Sequence, residues 1–356
     1  MRPSLPNRDD FIAIVYELWE TRMLSNFAKY SQLMEQSSKE YFNSDREFLS
    51  VVSCDIGLNL ILRAYDFPRG SEVLVPSFTF NSTPNNIALN GLKPVFVDID
   101  PHTFNIDSVD AEKKITSKTV AILGVHVFGN PCDVKCLTDI AETYNLKLFF
   151  DAAHAFGSKT DFNPICEYGD AGAYSFSGTK LITSAEGGLV YFKDKEMANR
   201  FKKLRNYGFE GNYNTEFLGM NGKISEFHAA LAHLSIKDID HKLKERIGVA
   251  YRYLDELKNC QFQTIPSYNA TTFKDFAVIV ENREKVVASL EESGIQTKQY
   301  FFPNHLTDYY KDFSMKLPVT ENIYNKIICL PIFNDITDEQ VDLVIREFNK
   351  EAERWI

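Results

Sequence analysis

Residues 149–157, FFDAAHAFG, together with 169–180, GDAGAYSFSGTK, and the EGG of 186–188, decide how this chain folds. Leu146 to Phe150 reads as a buried strand, and an acid, Asp151, closes it. A second short strand runs into the Ser- and Gly-rich turn Ser177-Gly178-Thr179, which delivers a single lysine, Lys180. Alone, Asp151 would be a strand-end charge and Lys180 a surface amine, since charged residues are mostly exposed. Together they suit pyridoxal phosphate (PLP). A lysine amine holds that cofactor's aldehyde as a Schiff base, and a carboxylate keeps its ring nitrogen protonated so that the ring accepts electrons.

Outward from this block, short β runs alternate with helical ones. Ser71 to Pro76, Pro94 to Asp98 and Thr119 to Val125 read as strands; Thr83 to Leu89 and Cys136 to Tyr144 read as helices. This alternation predicts a mostly parallel sheet covered on both faces, with ligands gathering at the carboxyl ends of its strands. Asp151, the stretch Pro76-Ser77-Phe78-Thr79-Phe80 and Val125-His126 all hold that position. From Ile224 the pattern turns helical, breaks near Asp238 and continues as a long helix. Beyond residue 260 it alternates again: Phe276 to Val280, a helix from Val286 to Ser293, an extended Gln296 to Phe301, and a closing amphipathic helix from Asp338 to Trp355. The expected organisation is α/β, with a large domain over residues 1–237 and a smaller C-terminal α/β domain over 238–356.

With 356 residues the chain exceeds one average core, and 44% hydrophobic against 25% charged residues is ordinary for a globular protein. A formal charge of −10 argues against a nucleic-acid partner, which needs a basic footprint, but leaves room for a small anion in one local pocket. The apolar stretch Phe11 to Tyr16 is short and flanked by acids, unlike a signal peptide, and no run is long enough to span a membrane. The six cysteines are scattered, which suits reduced thiols in the cytoplasm; Cys132 and Cys136 stand too far from other ligand types for a zinc site, and no metal is expected.

Two rival motifs fail. Ser177-Gly178-Thr179-Lys180 lacks the Gly before and the Ser or Thr after the lysine that a P-loop needs, and no G-x-S-x-G elbow is present for a Ser-His-Asp hydrolase. From Leu24 onward the chain instead resembles the PLP-dependent aminotransferases of the DegT/StrS family, which aminate nucleotide-linked keto sugars on an aspartate aminotransferase-like fold. The matching stretches are VPSFTFNSTPNNIALNGLKPVFVDID, GVHVFGNPCD, FFDAAHAFG, YSFSGTK, EGGLVYF, LRNYG and LGMNGKISEFHAAL.

Carried over residue by residue, the resemblance implies that Lys180 binds the cofactor aldehyde and shuttles the substrate proton, and that Asp151 pairs with the ring nitrogen. It places His154 near the ring oxygen, Phe80 on the ring face, and Ser175 on the phosphate. Asn221 would reach the phosphate of the neighbouring subunit, which makes a homodimer the active unit. Asn26 and His305 match positions close to the sugar. Without the resemblance, Phe80 would read as core, Ser175 as a partner of the sheet backbone, Asn221 as a turn former, His305 as a solvent-facing loop residue, and His126 as an interior histidine.

The family's Gly-Thr at the helix that cradles the phosphate is replaced here by Cys54-Asp55. The expectation is that Asp55 caps its helix and faces away, leaving the Asp55 and Ile56 amides for the phosphate; the alternative is a weakened cofactor site. Lys223 stands where many relatives carry Arg, which keeps the charge but not the two-pronged contact. The resemblance implies transfer from L-glutamate to a nucleotide-linked keto sugar, with NGKISEFHAAL closest to the branch acting at the 4-position of a dTDP-4-keto-6-deoxyhexose. The alternatives are a 3-aminotransferase and a PLP-binding regulator without catalysis. A sugar 3-dehydratase is disfavoured, because that branch replaces the lysine with histidine.

Overall fold

The computed structural model of the protein describes residues 2–211, 213–311 and 315–352. Two helices come first, α1 (Arg8–Thr21) and α2 (Lys29–Phe42), then strand β1 (Glu47–Val51) and helix α3 (Cys54–Tyr65). The anticipated alternation follows as β2 (Glu72–Pro76), α4 (Ser82–Leu89), β3 (Lys93–Val97), α5 (Ser108–Lys113), β4 (Thr119–Val125), α6 (Val134–Thr143) and β5 (Lys147–Asp151). Two short strands, β6 (Lys159–Thr160) and β7 (Asn163–Pro164), precede β8 (Ala171–Ser175) and β9 (Gly188–Phe192), after which come α7 (Lys195–Leu204), α8 (Glu226–Lys237) and α9 (Ile239–Glu256). The remainder holds β10 (Gln261–Phe262), β11 (Asn269–Ala270), β12 (Phe276–Ile279), α10 (Arg283–Glu292), α11 (Pro318–Lys326), β13 (Ile327–Leu330) and α12 (Asp338–Ala352). Helix starts follow their caps. Ser53, Asp107, Asp133, Asp194 and Ser225 each accept an N–H from the first turn of α3, α5, α6, α7 and α8.

The central sheet has seven strands in the order β1-β9-β8-β5-β4-β2-β3. All pair in parallel from β3 through β8, while β9 runs antiparallel to both β8 and β1. Alternate residues of one strand feed opposite cores. Val73, Val75 and Phe149 pack with Leu58, Leu62 and Phe201 under α3 and α7, whereas Leu74, Leu148 and Phe150 pack with Leu137 and Ile140 of α6. A third core brings Phe48, Tyr174 and Tyr191 together with Leu18, Met34 and Ile236 from α1, α2 and α8.

Register then gathers the strand ends. Val125 pairs with Asp151, and Asp151 with Ala173, so that His126, Asp151 and the end of β8 come out on one edge. Because β9 is antiparallel, its first residue, Gly188, lies between Ser175 and Val51 at that same edge. A Cβ on Gly188 would sit 2.6 Å from the Cys54 amide nitrogen, so the glycine lets the start of α3 rest against the sheet.

The C-terminal residues form an antiparallel sheet, β10-β12-β13, with a core of its own from α9, α10 and α12, and β11 pairs with β6 as an edge-to-edge tie. The helical break falls at Asp238, as expected, between α8 and α9. One expectation is corrected. Gln296 to Phe301 is not a strand; only Lys298 bridges Cys329, because Tyr300 and Phe301 turn away to wall the cavity described below. The closing helix is observed to Ala352, and its expected last turn lies outside the described residues. All six cysteines are free thiols. Among the described residues no helix is long and apolar enough to cross a membrane, and no cluster of His, Cys, Asp and Glu could hold a metal ion.

Candidate active site

A cavity of about 570 Å³ opens at the carboxyl edge of the sheet, a size that suits a cofactor-scale ligand. Its wall includes Asp151 and Lys180, the two residues the sequence singled out, together with Asp55, Phe80, His154 and Ser175. Asp151 is 5% exposed at the end of β5. Its Oδ2 accepts from Thr83 Oγ1 at 2.7 Å and its Oδ1 from the Ala153 amide at 3.0 Å. Burial raises its pKa above the usual carboxylate range, while these two hydrogen bonds and the Lys180 ammonium pull the other way. The geometry therefore fixes the carboxylate at the cavity wall, where a cationic ring nitrogen would stabilise it.

Lys180 follows the turn that its own sequence builds, with its amide donating to the Ser177 carbonyl at 2.9 Å. Burial, and after it the charge of Lys274, lowers its amine from 10.5 to about 8. At pH 7 such an amine is neutral roughly a tenth of the time, several hundredfold more than an unperturbed lysine. Lys274 comes from the segment leading into β12, is 2% exposed in its side chain, and pairs with Asp275 at 2.8 Å. The sequence reading missed it, although two charged residues inside the apolar run Phe273 to Val280 were the available signal.

The other predicted residues divide. Phe80 is 62% exposed, so it is not core; its ring is free to cover a ligand at the cavity wall. His154 stacks with Phe128 and Phe301, centroids 6.2 and 6.1 Å apart, and burial with the nearby ammonium groups of Lys180 and Lys274 keeps it neutral, well below the usual range. Ser175 lines the cavity, its Oγ 3.4 Å from that of Ser177. His126 is an interior histidine, as read. It stacks on Phe150 at 4.6 Å and its Nδ1 accepts the Cys132 amide, which leaves the proton on Nε2; burial lowers its pKa to about 3.

Two expectations about Asp55 and Ile56 are corrected. Ser53 caps α3 by accepting the Ile56 amide at 3.2 Å, so that amide is already used and Ile56 does not line the cavity. Asp55 does not face away: it lines the cavity and accepts from Asn86 Nδ2 at 2.8 Å. His305 is likewise neither at the cavity nor in solvent. It is 3% exposed, with Ser77 Oγ 2.8 Å from Nδ1 and Glu321 Oε1 3.2 Å from Nε2, and its segment reaches the cavity through Tyr300 and Phe301 instead. Asn26 sits on an exposed loop in the left-handed region, at φ 64°, outside the cavity wall. Asn221 is also exposed and outside it; it bridges Asn206 in a loop where Lys223 Nζ lies 4.3 Å from the Tyr207 ring centroid. Thr83, which orients Asp151, was missed because a threonine in a short helix carries no motif.

The donor set fits PLP: a poised amine, a buried acid for the ring nitrogen, an exposed aromatic face, and serine hydroxyls beside the start of α3. Asp55, in the first turn of α3, is the member of the wall that opposes a phosphate at that helix start.

A fold of this kind with this pair of residues suits a PLP-dependent enzyme, and the chain belongs to the DegT/DnrJ/EryC1/StrS aminotransferase family, whose model matches residues 7–349. It is 32% identical over 360 residues to a dTDP-4-amino-4,6-dideoxy-D-glucose transaminase of Shigella dysenteriae, covering 97% of this chain and 96% of that one. It is 36% identical over 298 residues to a dTDP-3-amino-3,6-dideoxy-alpha-D-galactopyranose transaminase of Aneurinibacillus thermoaerophilus, covering 82% of each. Among solved structures it superposes on DesV of S. venezuelae, determined in complex with a ketimine intermediate, with a TM-score of 0.93 at 27% identity and complete coverage of both chains.

Proposed function

We propose that this enzyme uses PLP to move an amino group from L-glutamate to a nucleotide-linked keto sugar, a dTDP-4-keto-6-deoxyhexose, aminating it at the 4-position. The observation that carries the reading is the convergence of Lys180 and Asp151 in one cavity at the carboxyl edge of the sheet. When bound, PLP supplies an electron sink that stabilises negative charge at the substrate carbon. The chain's own residues do the rest. With the cofactor bound, the Lys180 amine would be the base that accepts the proton from that carbon and, as the ammonium, the acid that gives it up again. Asp151, fixed by Thr83 and the Ala153 amide, holds the proton on the ring nitrogen. Phe80 would cover one ring face, and neutral His154 would offer a hydrogen bond without adding charge. Ser175 would hold the phosphate, and Asn221 of the partner subunit would complete that end in a homodimer, a role its exposure on a loop outside its own cavity leaves open to it.

The assignment to the 4-position rests on the relative matched along nearly the whole chain. The 3-amino relative, more identical over a shorter span, supports a second reading, amination at C3. Incubating the purified protein with PLP, glutamate and dTDP-4-keto-6-deoxyglucose should give a dTDP-amino sugar by mass spectrometry, with the nitrogen on C4 by NMR. No amino sugar from this substrate, with turnover of the 3-keto isomer, would transfer the assignment to C3. A regulator without catalysis would bind PLP yet give no product from either.

A further inference from the structure

Besides Asp151 the cavity wall carries two carboxylates that the proposed reaction does not use, Asp55 and Glu186, and Asp55 is the one at the start of α3. Asp55 lies in the first turn of α3 and faces the cavity, and since Ser53 has taken the capping position, Asp55 is not needed to end the helix. A relay holds it in place instead. Asn59 Nδ2 donates to Asn86 Oδ1 at 3.1 Å, and Asn86 Nδ2 donates to Asp55 Oδ1 at 2.8 Å. Asn59 and Asn86 are both buried, so the relay has one orientation, and it aims the Asn86 amide at the acid. The relay and the positive end of α3 together stabilise a fixed anion at the place where a helix start would otherwise receive one from a ligand. Its charge reaches the centre of the site, where it opposes ionisation of both Asp151 and Cys54.

We propose that Asp55 occupies the anion position at the start of α3 and repels the phosphate of the cofactor, so that this enzyme holds phosphorylated cofactor loosely and exchanges it with solution. The inference rests on the PLP reading above. Two like charges a few ångströms apart at a partly solvated wall alter affinity by roughly tenfold to a hundredfold. The penalty falls on the phosphate and not on the aldehyde, because Lys180 is reached from the ring end. A cofactor lacking the phosphate is therefore much less sensitive to Asp55, which reaches the ring end only through its smaller effect on Asp151.

The test titrates apo-protein with PLP and, separately, with pyridoxal, which lacks the phosphate, following the visible absorbance of the Schiff base. Wild type is compared with Asp55→Asn, which keeps the size and an acceptor for Asn86, and with Asp55→Thr. The Kd for PLP should fall about tenfold or more in both variants, while the Kd for pyridoxal stays within about twofold. A PLP Kd that is unchanged or raised overturns the proposal, as does equal tightening towards both ligands. Wild type that gives no absorbance with either ligand overturns the PLP reading itself, and this inference with it; wild type that binds both while the variants change nothing overturns only the role of Asp55.

Discussion

Replacing Lys180 by alanine is expected to lower aminotransferase turnover by about 10⁴-fold or more, because one side chain supplies both the covalent attachment and the proton shuttle. The fold should not suffer. The amine is depressed from 10.5 to about 8 chiefly by burial, so the folded state binds a proton less readily than the unfolded chain does. That cost to stability is fully present below pH 8 and fades as pH rises towards 10.5. The apo-variant should therefore unfold at a higher temperature than wild type at pH 7, with the two converging above pH 10. Turnover within tenfold of wild type would remove Lys180 from the reaction. A variant less stable than wild type at pH 7 would show that the amine is a structural prop rather than a strained functional group.

Asp151→Asn is the second large effect. The substitution keeps the shape and one acceptor, but it removes the charge that Thr83 and the Ala153 amide hold in place. A buried, oriented charge aimed at a developing one contributes about 10²–10³ in kcat when it is lost. The variant should bind PLP and keep its Schiff base with Lys180 while kcat falls by roughly that factor. A kcat within threefold of wild type would mean that the ring nitrogen finds its counter-charge elsewhere. Besides Asp151, the acids on the cavity wall are Asp55 and Glu186, and double variants with each then identify which one supplies it.

Much of the large sheet was legible because its strands are short apolar runs that end in polar residues. Thr119 to Val125 was read with its observed bounds, and the strand before Asp151 was displaced by one residue. The edge at β1 and the antiparallel direction of β9 were not legible, since a strand buried on both faces reads alike whichever way it runs. Gln296 to Phe301 misled because its extended sequence serves a cavity wall and not a ladder. In the site, Lys180 and Asp151 were readable from residue type and position. Asp55 was not. Ser53 and Asp55 are both able to cap a helix within the same three residues, and only the approach of Asn86 from α4 shows which of them does so. His305 was misplaced for a similar reason: its partners, Ser77 and Glu321, lie far off along the chain.

The central claim is that the amine of Lys180 attaches the cofactor. Purified protein incubated with PLP and reduced with borohydride tests it most directly, followed by proteolysis and mass mapping. The account predicts one stable pyridoxyl adduct, on the peptide that contains Lys180, and its disappearance when glutamate is added before the reductant. An adduct on Lys274, or none on Lys180, would contradict it.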